Sequence, residues 1–126
     1  MVRTKEFDEV KVLLAAAEVF AKNGYAGSSI DQLVRATGLL RGSLYGAFYS
    51  KAGLFNAALK QLLEGKAIDL LTDLLIVALL ERTEVDKTAA ELAEEAIQKL
   101  ETTQQQSFET ILARRILARA HLRLIK

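Results

Sequence analysis

The segment GLLRGSLYGAFYSK, residues 38–51, brings cationic and hydroxyl side chains together over a short stretch of chain. Arg41, Ser43, Tyr45 and Lys51 supply a guanidinium, two hydroxyls and an ammonium. A guanidinium can bond two acceptors at once, and a hydroxyl can donate or accept. The chemistry of this segment is therefore the binding of an anionic partner or of hydrogen-bond acceptors.

Two glycines, Gly42 and Gly46, interrupt the same segment. Inside a helix each costs about 1 kcal/mol relative to alanine. We interpret Gly42 as a place where the helix backbone lies close to another surface, whereas Gly46 removes a side chain from that surface. A broken or frayed helix is the alternative interpretation.

Catalysis and metal binding have little support in the composition. The 126 residues contain no cysteine and one histidine, His121, and no carboxylate pair at ligand spacing accompanies it. No glycine-rich phosphate loop is present, and a nucleophile–base pair would have to use this single histidine. We expect neither an enzyme nor a metal or cofactor site.

The charge and hydropathy patterns bear on partners and compartment. The net charge is +1, and residues 1–65 carry 8 basic against 6 acidic side chains, so a nucleic-acid partner has to be argued from local placement. The start of the chain, MVRTKEFDE, has no apolar signal region. The longest apolar run, LLIVALL at residues 74–80, is far short of the roughly 20 residues of a membrane span. With the absence of cysteine, this indicates a cytoplasmic protein without a membrane partner.

Apolar residues in the first part of the chain recur at helical spacing. The first predicted helix spans residues 5–23, with Thr4 as its N-cap and an Asn-Gly pair as its stop. Ser29 and Gln32 have the form of a capping box, which predicts a short second helix that ends at Gly38.

Helical spacing continues towards the C-terminus. A third helix is predicted over residues 41–49, and Ser50 can cap a fourth that ends or kinks at Gly65. A leucine-rich helix over residues 66–82 is apolar all round near its end, so we expect it to be buried on every side. A further helix over residues 88–100 carries small residues on one face, and a polar TTQQQS segment follows as a connection or an exposed helical turn. No strand-like alternation appears, so the predicted fold is all-α.

The last predicted helix carries two stripes. Its apolar stripe consists of Ala113, Ile116, Leu117, Ala120 and Leu124. Its basic stripe consists of Arg115, Arg119, Arg123 and Lys126. We interpret the basic stripe as a solvated face; dimer contacts and a second anionic partner are the alternatives.

Two short helices joined by a tight glycine-containing turn, and packed by a longer preceding helix, form a helix-turn-helix. In that arrangement the second helix enters the major groove of DNA. Arg41, Ser43 and Tyr45 would then lie at the DNA surface, and Arg41 can bond two acceptors of guanine. Ser29 offers a hydroxyl and a backbone N–H to a phosphate, and Lys51 can reach the same DNA backbone.

From about residue 10 to residue 59 the sequence resembles the tetracycline-repressor-type (TetR) family of bacterial transcription regulators. The matching pieces are LAAAEVFAKNGYAGSSI, the turn and helix GLLRGSLYGAF, and the following SKAGLF. The resemblance implies a homodimer that binds a palindromic double-stranded operator. It also implies a C-terminal helical region that supplies the dimer interface and often a small-molecule pocket. With the close approach at Gly42, the predicted DNA-binding residues are Ser29, Arg41, Gly42, Ser43, Tyr45 and Lys51.

Several positions depart from the family pattern. Leu40 stands where a small hydroxylic residue commonly caps the recognition helix, so we expect that cap to be missing. Gly46 and Ala47 replace larger side chains and leave fewer groups for reading bases. Only about 60 residues follow the motif, far fewer than is usual in the family. The chain is either a naturally shortened regulator or a piece of a longer one.

The sequence thus predicts two parts, a helix-turn-helix domain at residues 1–50 and a helical region at residues 51–126 for dimerisation and a small hydrophobic ligand. The predicted function is a dimeric, sequence-specific repressor of TetR type that a ligand releases from DNA. Its predicted place is the bacterial cytosol, on the nucleoid when DNA-bound. The alternative is a helical protein-interaction module whose degraded helix-turn-helix no longer binds DNA well.

Overall fold

Helices account for the regular structure of the described chain. The computed structural model describes residues 7–122, and within that range there is no β-strand. Its helices are α1 (Glu9–Asn23), α2 (Ile30–Thr37), α3 (Arg41–Phe48), α4 (Lys51–Glu64), α5 (Ile68–Glu81), α6 (Lys87–Gln104) and α7 (Phe108–Arg119). Among these helices none has both the length and the hydropathy to cross a membrane. The predicted all-α fold with an N-terminal helix-turn-helix is confirmed.

Helix α1 begins later than the sequence predicts. Asp8 is its N-cap, and the Asp8 carboxylate accepts the backbone N–H of Lys11 at 3.3 Å. A carboxylate there satisfies a free N–H group and interacts favourably with the positive end of the helix dipole. Phe7 and Asp8 therefore lie outside the helix, and the predicted start at residue 5 is wrong. Thr4, the predicted cap, lies outside the described residues.

One continuous hydrophobic core joins the helix-turn-helix to the helices that follow it. Phe20 of α1 and Phe55 of α4 are fully buried, with ring centroids 5.1 Å apart and planes at 76°. Leu74 of α5 and Leu100 of α6 are fully buried in the same core. Because α1 packs on α2, α4 and α5, the later helices help to hold the N-terminal ones in place. The division at residue 50 stays a prediction.

The leucine-rich helix α5 is buried on one side only. Leu71, Leu74 and Ala78 are fully buried, which confirms their interpretation as core, whereas Leu80 is 77% exposed. At 100° per residue, Leu80 lies about 200° around the helix axis from Ala78 and so faces away from the core. The expectation that this helix is buried on every side is wrong.

Helix α6 is longer than predicted at its C-terminal end. It begins after Asp86, whose carboxylate accepts the N–H groups of Thr88 and Ala89 at 3.0 and 3.2 Å. It runs to Gln104 and so passes the predicted end at residue 100. Part of the polar TTQQQS segment is therefore the exposed last turn of a helix.

The basic stripe of α7 attaches this helix to the rest of the molecule. Arg115 donates Nε and Nη2 to the carboxylate of Asp73 on α5, at 2.7 and 2.9 Å. Arg119 lies 3.5 Å from the same carboxylate and donates to the carbonyl of Ala21 on α1 at 3.2 Å. The interpretation as a solvated face is wrong for Arg115, because the carboxylate of Asp73 holds it, whereas Arg119 makes these contacts and stays exposed. Arg123 and Lys126 lie outside the described residues.

The apolar stripe of α7 faces outwards. Ala113, Ile116 and Ala120 are exposed, Leu117 is half-buried and Leu124 lies outside the described residues. The buried contact of α7 is Ile111 instead. This helix therefore presents apolar side chains on the molecular surface.

Candidate nucleic-acid interface

The turn between α2 and α3 has the geometry of a helix-turn-helix. Gly38 adopts the left-handed conformation (φ 76°), and its N–H donates to the carbonyl of Val34 at 2.9 Å. The hydroxyl of Thr37 donates to the carbonyl of Leu33 at 2.7 Å and accepts the N–H of Leu39 at 3.3 Å. These bonds end α2 and turn the chain directly into α3, and glycine is favoured at residue 38 because L side chains rarely adopt that φ.

The N-terminus of α2 carries the predicted capping box. The Ser29 hydroxyl oxygen accepts the N–H of Gln32 at 3.0 Å, and the side-chain oxygen of Gln32 accepts the N–H of Ser29 at 2.8 Å. The backbone N–H of Ser29, predicted to face a phosphate, is therefore already used inside the protein. The Ser29 hydroxyl hydrogen can still be donated, and the first turn leaves the N–H groups of Ile30 and Asp31 without intrahelical acceptors. The end of α2 is thus suited to an anion.

Helix α3 presents its polar residues and its glycines to solvent. Arg41, Gly42, Ser43 and Tyr45 are exposed, while Leu44 and Phe48 are buried. Leu40 precedes the helix without a side-chain cap, as predicted. These exposed residues belong to the second helix of the helix-turn-helix, which is the helix that enters the groove in that arrangement.

Tyr49 ends α3 in an unusual conformation. Its φ is 73°, and its N–H donates to the carbonyl of Tyr45 at 2.8 Å. The Tyr49 side chain is 86% exposed. Tyr49 therefore does not pack in the core and lies at the rim of the α3 surface.

Arg41 has a partner that the sequence did not suggest. Its Nη2 lies 3.0 Å from Oδ1 of Asp31 on α2, and both side chains are largely exposed. An exposed ion pair of this kind contributes little stability. The pair instead orients the Arg41 side chain, because it holds the guanidinium beside the first turn of α2. A spacing of ten residues across a turn has no helical periodicity, so no pattern in the sequence signals this pair.

Lys51 lies in the first turn of α4 and rests on an aromatic ring. Its Nζ is 4.6 Å from the ring centroid of Tyr25, and the guanidinium carbon of Arg82 is 4.2 Å from the same centroid. Burial raises the pKa of the Tyr25 hydroxyl, and Asp86 and Tyr45 add to this while Arg82 opposes it. Tyr25 therefore stays a neutral phenol, and its ring holds Lys51 beside α3.

The turn between α1 and α2 is anchored by a distant carboxylate. Glu81, the last residue of α5, accepts the N–H groups of Tyr25 and Ala26, both at 2.9 Å. A Cβ at Gly24 would lie 2.8 Å from Oε2 of Glu81, and Gly24 has φ 81°. This contact links residues more than fifty positions apart in sequence, so periodicity and spacing do not reveal it.

Next to Glu81, Arg82 belongs to a polar network with Asn56 and Asp86. Oδ2 of Asp86 accepts Nδ2 of Asn56 at 3.0 Å and Nη2 of Arg82 at 3.2 Å. Burial opposes ionisation of Asp86, but hydrogen bonds from Asn56, Arg82 and the first N–H groups of α6 outweigh it and lower the pKa of this carboxyl. Asp86 thus holds Arg82 against Tyr25 and caps α6 at the same time. Among residues 7–122, no group of three or more His, Asp or Glu side chains is placed to hold a metal ion.

These features define a helix-turn-helix domain with an exposed recognition-type helix. Residues 12–58 match the family described as bacterial regulatory proteins, tetR family. The match covers 47 of the 126 residues, from α1 to α4, and agrees with the resemblance carried by the sequence motifs of this part of the chain.

Two curated relatives are similar over the same part of the chain. An uncharacterised HTH-type transcriptional regulator, YezE of Bacillus subtilis, is 47% identical over 66 residues, which is 52% of this chain and 34% of the relative. The HTH-type transcriptional repressor ComR of Escherichia coli is 39% identical over 62 residues, 49% of this chain and 30% of the relative. The match thus spans about a third of the length of these relatives. No solved structure matches.

Proposed function

We propose that the chain is a dimeric, sequence-specific DNA-binding transcriptional regulator of TetR type that acts as a repressor in the cytoplasm. The observation that carries the proposal is the shared outer face of α2 and α3. There Arg41, Ser43 and Tyr45 are exposed beside the capped N-terminus of α2. The similarity of residues 12–58 to the TetR family and the repressor name of the Escherichia coli relative support the same function.

Binding to the DNA backbone would come from groups on both sides of α3. Lys51 at the start of α4 and the Ser29 hydroxyl at the start of α2 flank the recognition helix, and both can donate to phosphate oxygens. The free N–H groups in the first turn of α2 add a favourable helix end. These contacts supply affinity that falls steeply with salt concentration, because each neutralised phosphate releases counterions.

Base reading would rest on a small set of side chains. Arg41 can bond guanine with two N–H groups while its Nη2 stays near Asp31, and Ser43 can serve a base or a phosphate. Nothing lies within 4 Å of a Cβ built at Gly42 or Gly46, so this face of α3 is smooth and open in the free protein. Such a face suits close approach of the backbone to DNA and leaves part of the specificity to operator shape.

Dimerisation would use the C-terminal helices. Exposed apolar side chains lie there at the end of α5, in the α5–α6 turn, on α7 and just after it. They are Leu80, Val85, Ile116 and Leu122. Two copies related by a twofold axis would bind a palindromic operator with half-sites about 34–36 Å apart, or a multiple of that spacing.

Release by a small hydrophobic ligand is the finer part of the proposal. A groove of about 380 Å³ lies between α5 and α7, within the usual range of ligand pockets. Its walls include Thr72, Ile111, Arg114 and Ala118. The fully buried leucines of α5 pack within the core, and the groove beside α7 is the place where we expect a ligand to bind. A thermal-shift screen of small apolar compounds tests this part, and the absence of any stabilising compound would contradict it.

The main experiment is selection of DNA from a randomised double-stranded library with the full 126-residue chain, followed by mass measurement of the complex. The proposal predicts enrichment of an inverted repeat and two chains per DNA duplex. A monomeric protein that enriches no sequence and is not retained on DNA at low salt would contradict the proposal. That result would favour the alternative, a helical interaction module, to which the exposed apolar residues of α5 and α7 would then belong.

A further inference from the structure

The turn that leads into α2 is held from two directions. From inside, the buried hydroxyl of Ser28 donates to the carbonyl of Gly24 at 2.6 Å and contacts the carbonyl of Val19 at 3.3 Å. From outside, the two carboxylate oxygens of Glu81 each accept one backbone N–H, from Tyr25 and from Ala26. The turn is thus fixed on one side by α1 and on the other by the end of α5.

We propose that Glu81 is a positioning residue for DNA binding, which sets the place of the N-terminus of α2 without touching DNA. This inference rests on the proposed function. The turn passes from Ala26 to Ser29 within three residues, and Ser29 begins the phosphate-facing end of α2. A change at Ala26 is therefore passed directly to the groups that face phosphate.

The two hydrogen bonds of Glu81 are strong enough to select one conformation of the turn. A carboxylate that accepts backbone N–H groups makes charge-assisted bonds, which are about twice as strong as neutral ones. Between Gly24 and Ser29 the backbone has one turn bond, from the N–H of Ser28 to the carbonyl of Tyr25 at 3.2 Å. The bidentate contact of Glu81 adds the hydrogen bonds that fix Tyr25 and Ala26 from the outer side of the turn. Gly24 leaves the space that the Glu81 carboxylate occupies, since a Cβ there would lie 2.8 Å from Oε2.

The neighbour of Glu81 strengthens the same link. Arg82 lies against the Tyr25 ring and is itself held by Asp86. The Tyr25 ring also stacks on Phe20 with centroids 5.8 Å apart, so the ring stays in place when the carboxylate is altered. A substitution at Glu81 should therefore loosen the backbone of the turn while the aromatic core remains packed.

The matched variants are Glu81→Gln and Glu84→Gln. Glutamine at residue 81 keeps the shape and one acceptor oxygen but presents an NH₂ group to the second backbone N–H. Glu84 is an exposed acidic residue in the turn that follows α5, and its substitution removes the same charge without a contact to Tyr25 or Ala26. The DNA is a duplex selected by the wild-type chain, and Kd is measured between about 50 and 200 mM salt, a range in which phosphate binding is strongly salt-dependent.

The expected result is a rise in Kd of about three- to tenfold for Glu81→Gln, because only the fraction of molecules with the turn in place binds fully. The slope of log K against log salt should stay close to the wild-type slope, because the groups at the start of α2 are uncharged and counterion release follows the Lys and Arg contacts. The backbone N–H resonances of Tyr25 and Ala26 should move upfield as their carboxylate bonds weaken. Glu84→Gln should match the wild type in slope and in these resonances.

Two results would overturn the proposal. One is a Glu81→Gln variant that keeps the wild-type Kd although its Tyr25 and Ala26 resonances have moved, since the turn would then have no influence on DNA. The other is unmoved resonances, which would show that Glu81 does not hold the turn. If the wild-type chain selects no DNA, the proposed function fails and the positioning role fails with it, while the resonances still report separately whether the contact exists. Urea unfolding of each variant shows that a change in Kd belongs to folded protein.

Discussion

Alanine substitution of the two glycines of α3 should affect protein stability and DNA affinity differently. In the free protein nothing lies within 4 Å of a Cβ built at Gly42 or at Gly46. Alanine should therefore fit at both positions and stabilise the helix by about 0.5–1 kcal/mol, since glycine is the poorer helix former. For a chain of 126 residues, an unfolding entropy of about 2.1 cal/mol/K per residue converts this into a rise in Tm of roughly 2–4 °C.

The two variants should then differ in their affinity for DNA. If the backbone at Gly42 lies against DNA, the added methyl group of Gly42→Ala meets the DNA and weakens binding, by about tenfold for each 1.4 kcal/mol of strain. Gly46→Ala should keep wild-type affinity, because Gly46 lies one turn further along α3 and is interpreted only as a missing side chain. Tm is measured by circular dichroism and Kd by fluorescence anisotropy on a duplex selected by the wild-type chain.

Each of the two measurements can refute one part of this prediction. Equal, wild-type affinity of both variants would refute the close approach at Gly42. A lower Tm of either variant would refute the statement that the free helix has room for the methyl group.

Three further predictions concern the contacts that hold the site in place. Asp73→Asn should lower the free energy of unfolding in urea by about 2 kcal/mol, because it weakens the bidentate contact with Arg115. This is somewhat less than the roughly 3–5 kcal/mol of a fully buried pair. The effects of Asp73→Asn and Arg115→Met on the unfolding free energy should be clearly less than additive in the double variant. Ser29→Ala should cost about 1 kcal/mol in urea unfolding through loss of the N-cap and should also raise Kd for DNA, and stability equal to the wild type would contradict the capping role. Asp86→Asn should lower the free energy of unfolding at pH 7. The difference from the wild type should shrink as the pH falls below about 4, because the wild-type Asp86 carboxylate, whose pKa is lowered in the folded state, then takes up its proton. A difference in unfolding free energy that stays constant from pH 7 to about pH 3 would argue against the lowered pKa.

Local rules predicted the parts of the fold that depend on neighbouring residues. The capping box of Ser29 and Gln32, the stop at Gly38 and the missing cap at Leu40 each involve residues within a few positions of one another. The order of the helices follows from the same short-range signals. These are the features for which periodicity and capping chemistry contain the necessary information.

Tertiary contacts explain where the sequence interpretation fails. The α7 arginines look like a solvated stripe until α5 places Asp73 opposite Arg115. Leu80 extends an apolar run, yet it lies on the side of α5 that faces away from the core. In each case the deciding partner is far away in sequence, and a pattern along a single helix cannot name it.

The candidate site also combines residues that local sequence patterns reveal with partners that only the tertiary structure reveals. The sequence places Arg41, Ser43, Tyr45 and Lys51 near a common surface because they belong to one turn and the helices beside it. Their partners Asp31 and Tyr25, and the anchor at Glu81, come from the packing of separate helices. The contacts that hold the predicted DNA-binding residues in place therefore leave no signal in the sequence pattern.

The DNA-binding role of the α2–α3 face can be tested by comparing Arg41→Ala, Lys51→Ala and Lys60→Ala on one selected duplex. Lys60 is an exposed lysine further along α4 and serves as the control for removal of a charge. We expect Arg41→Ala to raise Kd by about five- to 150-fold and to relax the preference at one base pair, because a bidentate bond to a base contributes about 1–3 kcal/mol. Lys51→Ala should weaken binding to all sequences alike and lower the salt slope by about 0.9 per subunit. Wild-type binding by both Arg41→Ala and Lys51→Ala, or an equal decrease in affinity in all three variants, would contradict the assignment of the α2–α3 face as the DNA-binding surface.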